Sequence, residues 1–132
     1  MSEKTQRLEI VTPEKKVFSE EVQFLVAPGT AGELGILPEH APLVTTLQIG
    51  VLRVQQAEKQ FKVAVSGGFM EVRNSKVTVL AGTAERAEEI DVTRAEAARQ
   101  RAEARLAGGG DIDVLRAELA LKRALARLKA AQ

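Results

Sequence analysis

Ala81-Gly82-Thr83-Ala84-Glu85-Arg86-Ala87-Glu88-Glu89-Ile90-Asp91-Val92-Thr93-Arg94-Ala95-Glu96 is where the chain changes character. Beyond Gly82 no proline occurs, glycine is confined to Gly108-Gly109-Gly110, and alanine supplies 13 of residues 87 to 132. Alanine has the highest helix propensity, so this half reads as helical. Asp91 to Ala107 and Asp113 to Ala131 predict two helices about 25 and 28 Å long at ~1.5 Å per residue. The short link through Gly108-Gly109-Gly110, Asp111 and Ile112 folds them antiparallel.

The aspartates give an independent sign of the same helices. The chain has only three, Asp91, Asp111 and Asp113, all at predicted helix starts. There a carboxylate accepts hydrogen bonds from unpartnered backbone N–H groups. Ile90-Asp91-Val92-Thr93-Arg94-Ala95-Glu96 and Ile112-Asp113-Val114-Leu115-Arg116-Ala117-Glu118 repeat one pattern, with Ile and Ala placed for a hydrophobic staple. Val92, Ala95, Ala98, Ala102 and Leu106 form one apolar stripe, and Val114, Ala117, Leu121, Ala124 and Leu128 another, so mutual packing is expected. Alanines bury little area, at ~0.8 kcal/mol per CH₂, so the seam is weak and the hairpin able to open.

Upstream, from Leu8 to about Ala81, short β-type runs are broken by turn residues, the spacing of a sandwich or barrel. The clearest are Leu8–Thr12, Val22–Val26, Val51–Val54, Phe61–Val65 and Val77–Leu80, several alternating apolar with polar as half-exposed antiparallel strands do. Gly and Pro read as punctuation at Pro13, Pro28-Gly29, Gly32, Gly35, Pro38, Pro42, Gly50, Gly67-Gly68 and Gly82.

Composition narrows the function classes. With 132 residues there is room for one domain and an appendage, here divided as 1–86 and 87–132. Hydrophobic residues at 45% require a folded core. Four Phe with no Tyr or Trp leave no stacking platforms for bases, and the net charge of +1 gives no field for a nucleic acid. No run spans a bilayer, and no signal peptide is expected. The absence of Cys and the single His argue against a metal site. Neither glycine cluster continues as a P-loop, and no G-x-S-x-G turn accompanies His40, so no catalytic residues are expected. His40 reads as a turn or packing residue, or as a contact residue.

The remaining signal is electrostatic. Residues 119 to 132 carry Lys122, Arg123, Arg127 and Lys129 with no acid, which suits an acidic partner or a phosphate as well as a helix C-terminus. Arg94, Arg101 and Arg105 on the first helix could converge with Arg123 and Arg127 around an anion. Plain solvated faces are the other reading.

Gly32-Glu33-Leu34-Gly35-Ile36-Leu37-Pro38-Glu39-His40-Ala41-Pro42-Leu43 and Ser66-Gly67-Gly68-Phe69-Met70-Glu71-Val72 closely resemble signatures of the bacterial epsilon subunit of F-type ATP synthase, and the resemblance extends over nearly the whole chain. It implies a β-sandwich of about ten strands followed by the helical hairpin, in a non-catalytic rotor subunit. The partners implied are the gamma subunit, the ring of c subunits and the alpha/beta catalytic head. The location implied is peripheral, on the cytoplasmic face of a bacterial plasma membrane.

By the same resemblance Gly29, Thr30, Ala31, Gly32 and Glu33, with His40, map to the ring contact. An extended hairpin would set Lys122, Arg123, Arg127 and Lys129 against an acidic segment of the beta subunits and block ATP hydrolysis. The family's nucleotide motif I-D-x-x-R-A recurs here, implying ATP as a regulatory ligand, with no catalytic cofactor. Ile90, Asp91, Arg94 and Ala95 would hold its adenine and ribose side and Arg101, Arg123 and Arg127 its phosphates, with Glu85 preceding them. The second copy of the pattern shows that capping alone also generates it. A stand-alone ATP-sensing module bound to an unrelated protein is the competing class, separated by co-purification with gamma.

Overall fold

The computed structural model of the chain describes residues 4–108, 110 and 113–132. Eight strands come first: β1 (Gln6–Val11), β2 (Lys16–Val22), β3 (Phe24–Gly29), β4 (Gly32–Ile36), β5 (Leu43–Gln56), β6 (Lys59–Arg73), β7 (Lys76–Ala81) and β8 (Ala84–Arg86). A 3₁₀ turn at Ala87–Glu89 leads into α1 (Val92–Gly108) and α2 (Val114–Ala131). The strands follow the order β2-β1-β7-β6-β5-β3-β4, with β8 added to β6. Only β1 and β7 pair in parallel; the other pairs are antiparallel.

This connected sheet makes two layers because β5 and β6 belong to both. The second half of β6 pairs with β7 from Gly68 onward, while its first half pairs with β8 at Val63 to Val65. The exchange happens at Gly67-Gly68, both at positive φ. A Cβ on Gly68 would lie 1.9 Å from the Leu80 carbonyl oxygen, so only glycine fits. On the facing strand, a Cβ on Gly50 would lie 2.9 Å from Pro28 Cβ. The ten expected strands are therefore eight, because the 14 residues of β5 and the 15 of β6 each run through both layers. Gly35, Gly50, Gly67 and Gly68, read above as punctuation, lie inside strands, whereas Pro28-Gly29 ends β3 and Gly32 begins β4, flanking the turn at Thr30 and Ala31. The expected strand Val22–Val26 is in fact a junction, the end of β2 and the start of β3.

Between the layers lies one apolar core, with Leu8, Ile10, Leu25, Ile36, Leu52, Val63, Met70, Val77 and Val79 fully buried. Gln6 crosses it, its buried Nε2 donating to the Ile36 carbonyl at 2.8 Å. The residues Val51, Leu52, Val63, Ala64 and Val65 are all buried, the pattern of strands covered on both faces. The cover on the outer face is α2.

The aspartate caps form as expected. Asp91 Oδ1 accepts from the Arg94 N–H and Asp113 Oδ1 from the Arg116 N–H, each at 3.0 Å. Asp111, Ile112 and Gly109, which the sequence places in the link, lie outside the described residues. Of the expected seam, Ala95, Ala102, Ala117 and Ala124 are buried, whereas Val92 and Val114 stay half exposed. Those two valines are the first residues of their helices.

Two measurements test this scaffold. Gly68→Ala combines an excluded Cβ with a φ of +140°, and denaturant unfolding is expected to show a loss of about 3 kcal/mol or more. A loss under ~1 kcal/mol would contradict the bend. Glu9 on β1 is held well below its ordinary 4.5, to about 2, by Lys16 first and then by Ser19 and Lys76. Because this folded-state pKa is depressed, its contribution to stability is complete above pH 4.5 and is lost as the pH falls towards 2. Glu9→Gln is therefore expected to destabilise the protein at neutral pH and to match the native chain near pH 2, read as the difference in unfolding midpoint.

Candidate functional site

The hairpin docks through α2. Ala126 and Ala130, one turn apart, pack with Val51, Ala64 and Ile90 in a small cluster on the outer face of β5 and β6. α1 packs on α2 and leaves the sheet contact to it. A single ion pair reinforces the cluster: Arg127 Nε donates to Glu85 Oε1 at 2.5 Å, both side chains about one-third exposed. Lys62 Nζ adds a long 3.4 Å bond to the Gln132 carbonyl.

Around that ion pair the structure gathers part of the expected anion site. Glu85, Arg123 and Arg127 line one crevice with Ser66 and Thr83, and its free volume is about 10 Å³. That is room for a single water. Arg127 already has a counter-ion in Glu85, so a phosphate at this place would compete with a carboxylate. Arg123 makes no ion pair among the described residues. Its charge is the one this crevice leaves for an anion.

The remaining members of the expected set occupy several environments. Ile90 is buried against α2 and the sheet, and Ala95 is buried in the helix seam. Asp91 uses its carboxylate on the α1 cap. Arg94 and Arg101 are exposed on α1 and make no ion pair among the described residues. Their neighbour Arg99 does, gripping Glu96 and, at 2.6 Å, Glu103, which raises its own pKa and lowers that of Glu96. On the far side of α2, Lys122 and Lys129 are exposed.

The expected ring-contact residues fall on two loops. Gly29–Gly32 is the tight turn between β3 and β4, with Thr30 Oγ1 2.7 Å from Thr46 Oγ1 and Gln48 Nε2 donating to the Gly29 carbonyl at 3.0 Å. Glu33 pairs with Arg53 at 3.3 Å. His40 follows the other end of β4. Its Nδ1 lies 2.7 Å from the Ala41 carbonyl and so donates, leaving Nε2 available. Glu39 beside it, at φ +66°, is fastened by Ser75 Oγ at 2.9 Å and by Lys4 at 3.0 Å.

Two surfaces escaped the sequence reading. On the outer face of the layer without the hairpin, Phe69 pairs with Leu80, Leu80 with Val11, and Val44 lies two residues from the Phe69 partner Thr46. Val44, Phe69 and Leu80 are 69%, 55% and 50% exposed, a continuous apolar stripe of the kind that marks an interaction site. The second surface is the sheet-facing side of α2. The unbroken run Val63-Ala64-Val65 was its available sign, since a strand facing water on one side would alternate. Among the described residues, no helix is long and apolar enough to cross a membrane.

Residues 5–87 match the ATP synthase delta/epsilon-chain β-sandwich domain, and residues 88–132 match the long α-helix domain of the same chain. The chain is 76% identical over 107 residues to the ATP synthase epsilon chain of Pelotomaculum thermopropionicum, an alignment covering 81% of this chain and 80% of that one. It is 76% identical over 103 residues to the epsilon chain of Desulforamulus reducens, covering 78% of each, and 62% identical over 101 residues to that of Carboxydothermus hydrogenoformans, covering 76% and 75%. Among solved structures it resembles a chain of the Euglena gracilis mitochondrial ATP synthase OSCP/F1/c-ring assembly, with TM-score 0.83 and 26% identity over 99% of this chain and 84% of that one. A chain of the Tetrahymena thermophila mitochondrial ATP synthase central stalk and c-ring shares the fold alone, at TM-score 0.60 and 14% identity over 99% of this chain and 96% of that one. Sandwich and hairpin thus match in order from residue 5 to residue 132, and the chain belongs to the ATP synthase delta/epsilon-chain family.

Proposed function

We propose that the hairpin of this non-catalytic ATP synthase subunit is a detachable regulatory arm, residues 87–132, carried on a rotor-binding body, residues 1–86. The body joins the gamma subunit and the ring of c subunits in the central stalk, at the cytoplasmic face of a bacterial plasma membrane. The observation that carries this reading is the contact holding the arm: a small cluster of Val51, Ala64, Ile90, Ala126 and Ala130 with Ile49 and Ala131 at its edge, one partly exposed ion pair and the long Lys62 bond to Gln132. At ~0.8 kcal/mol per buried CH₂, with an exposed pair worth about 0–1 kcal/mol, such a contact opens at modest cost.

The rotor assignment is supported by the exposed stripe of Val44, Phe69 and Leu80, which suits an apolar partner surface. The ring contact is assigned to Gly29–Glu33 and His40, on turns stiffened by the threonine pair and by Ser75. In the extended state Lys122, Arg123, Arg127 and Lys129 meet an acidic segment of the beta subunits and restrain ATP hydrolysis. In the docked state Arg127 belongs to Glu85. One guanidinium serves both states, so the two exclude each other.

ATP is the ligand that biases the arm towards docking. Arg123 and Arg127 from α2, with Arg94 and Arg101 from α1, supply phosphate donors, while the base and ribose lie by the exposed Asp91 at the start of α1, beside which Ile90 and Ala95 are buried. Since the crevice holds only a water's volume, ATP lies over the helices beside the Arg127–Glu85 pair, where the terminal N–H groups of Arg127 are left free by a bond that uses only its Nε. At a hundredfold excess over its Kd, a ligand specific for one state shifts the equilibrium by about 2.7 kcal/mol, enough to reverse a marginal preference.

Calorimetric titration of the intact protein is expected to show saturable ATP binding, weakened about tenfold or more by Arg94→Ala and by Arg123→Ala through loss of charge-assisted bonds. Absence of ATP binding by the native chain would reduce I-D-x-x-R-A to a helix cap. Deleting residues 87–132 is expected to raise the ATPase rate of the assembled enzyme, and an unchanged rate would contradict an inhibitory arm.

A further inference from the structure

The joint between body and arm has an asymmetry in β8. Successive strand residues point to opposite faces, and here the two faces belong to different parts of the protein. Glu85 faces α2 and binds Arg127. Arg86 faces the other way, with its guanidinium carbon 4.5 Å from the Phe61 ring centroid and 5.8 Å from that of Phe18. Those rings are themselves in tilted contact at 5.2 Å, Phe18 from β2 in one layer and Phe61 from β6 in the other. The backbone of Arg86 pairs with Val63, and its N–H donates to Glu89 Oε1 at 3.0 Å. Arg86 Nε stands 3.2 Å from the Glu88 carboxylate, close enough for an ion pair but without hydrogen-bond alignment. Apart from these near neighbours, every contact just named is to the body.

We propose that Arg86 is the post at which the arm's motion stops: it pins β8 to the sandwich by stacking on Phe18 and Phe61, so that undocking is absorbed by Ala87 to Asp91. This rests on the reading that the arm can leave the sheet. Planar, delocalised and permanently charged, arginine fits this role, because it stacks on two rings while its charge stays partly in water. Undocking then breaks the contacts of Glu85 and Ile90, which reach α2, and spares the stacking of Arg86 on Phe18 and Phe61 and its pairing with Val63, while its contacts with Glu88 and Glu89 lie in the segment that moves. The body keeps an intact sheet edge in both states, and the arm keeps a fixed origin.

Native-state hydrogen exchange on the intact chain tests this without any ATPase assay. Ala126→Glu, which sets a charge into the cluster under α2, releases the arm. It is expected to lengthen the distance between spin labels at the exposed Glu58 and Glu118 while the β8 amides bonded to β6 keep their native protection, whether the freed helices remain folded or unravel. Adding Arg86→Gln is expected to raise exchange of those β8 amides about tenfold, with Arg86→Lys between the two. If β8 loses protection on undocking while Arg86 is present, or keeps it when Arg86 is replaced, the post does not exist. If the labels in Ala126→Glu report only the docked distance, the arm does not undock and the proposal falls with the reading beneath it. An arm that detaches but leaves ATP hydrolysis unchanged would refute only the inhibitory role.

Discussion

At Gly68 the backbone of β6 passes so near the Leu80 carbonyl that no side chain can stand there, and the two-layer architecture depends on that approach. With the bend in place, β5 and β6 cross from one layer to the other while remaining hydrogen-bonded to each other along their length. The core residues of both layers can then face inward around Met70, Leu52 and Val63. The bend also sets the outward aspect of the second layer, where Val51 and Ala64 form an apolar patch that water would otherwise cover. The arm lies on that patch. Sandwich, patch and docked helix thus follow from one constraint on the backbone.

The two faces of the sandwich are used differently. One outer face carries the hairpin through small side chains, which permit close approach and part at little cost. The other presents Val44, Phe69 and Leu80 to solvent, larger groups whose burial would bind a partner more firmly. This division suits a subunit that stays attached by its body while its arm changes position. The Arg127 pairing with Glu85 adds one partly exposed ion pair to the hairpin's face.

Much of this was legible in the residues. Asp91 and Asp113 cap the helices they were expected to cap, because a carboxylate at a helix start is a local interaction that needs no tertiary context. Family signatures at Gly32–Leu43 and Ser66–Val72 pointed to the sandwich. Gly35, Gly50 and Gly67-Gly68 misled, since the sequence of a bent strand looks like two strands and a turn. β8 was hidden behind Gly82 in a stretch whose alanines read as helix, and its three residues are held by pairing with β6 rather than by propensity. The Arg127 bond to Glu85 spans 42 positions and has no local signature. The stripe on the other face was obscured because Phe69 and Leu80 sit on adjacent strands, where only register brings them together.

The central claim is that the arm is a separable unit whose position on the sandwich responds to ATP. Spin labels at the exposed positions Glu58, on the β5–β6 turn, and Glu118, on α2, report that separation directly in the assembled ATP synthase. The account predicts two distance populations, with the shorter, docked one growing as ATP is added to the non-hydrolysing enzyme. A single distance that is indifferent to nucleotide would contradict it.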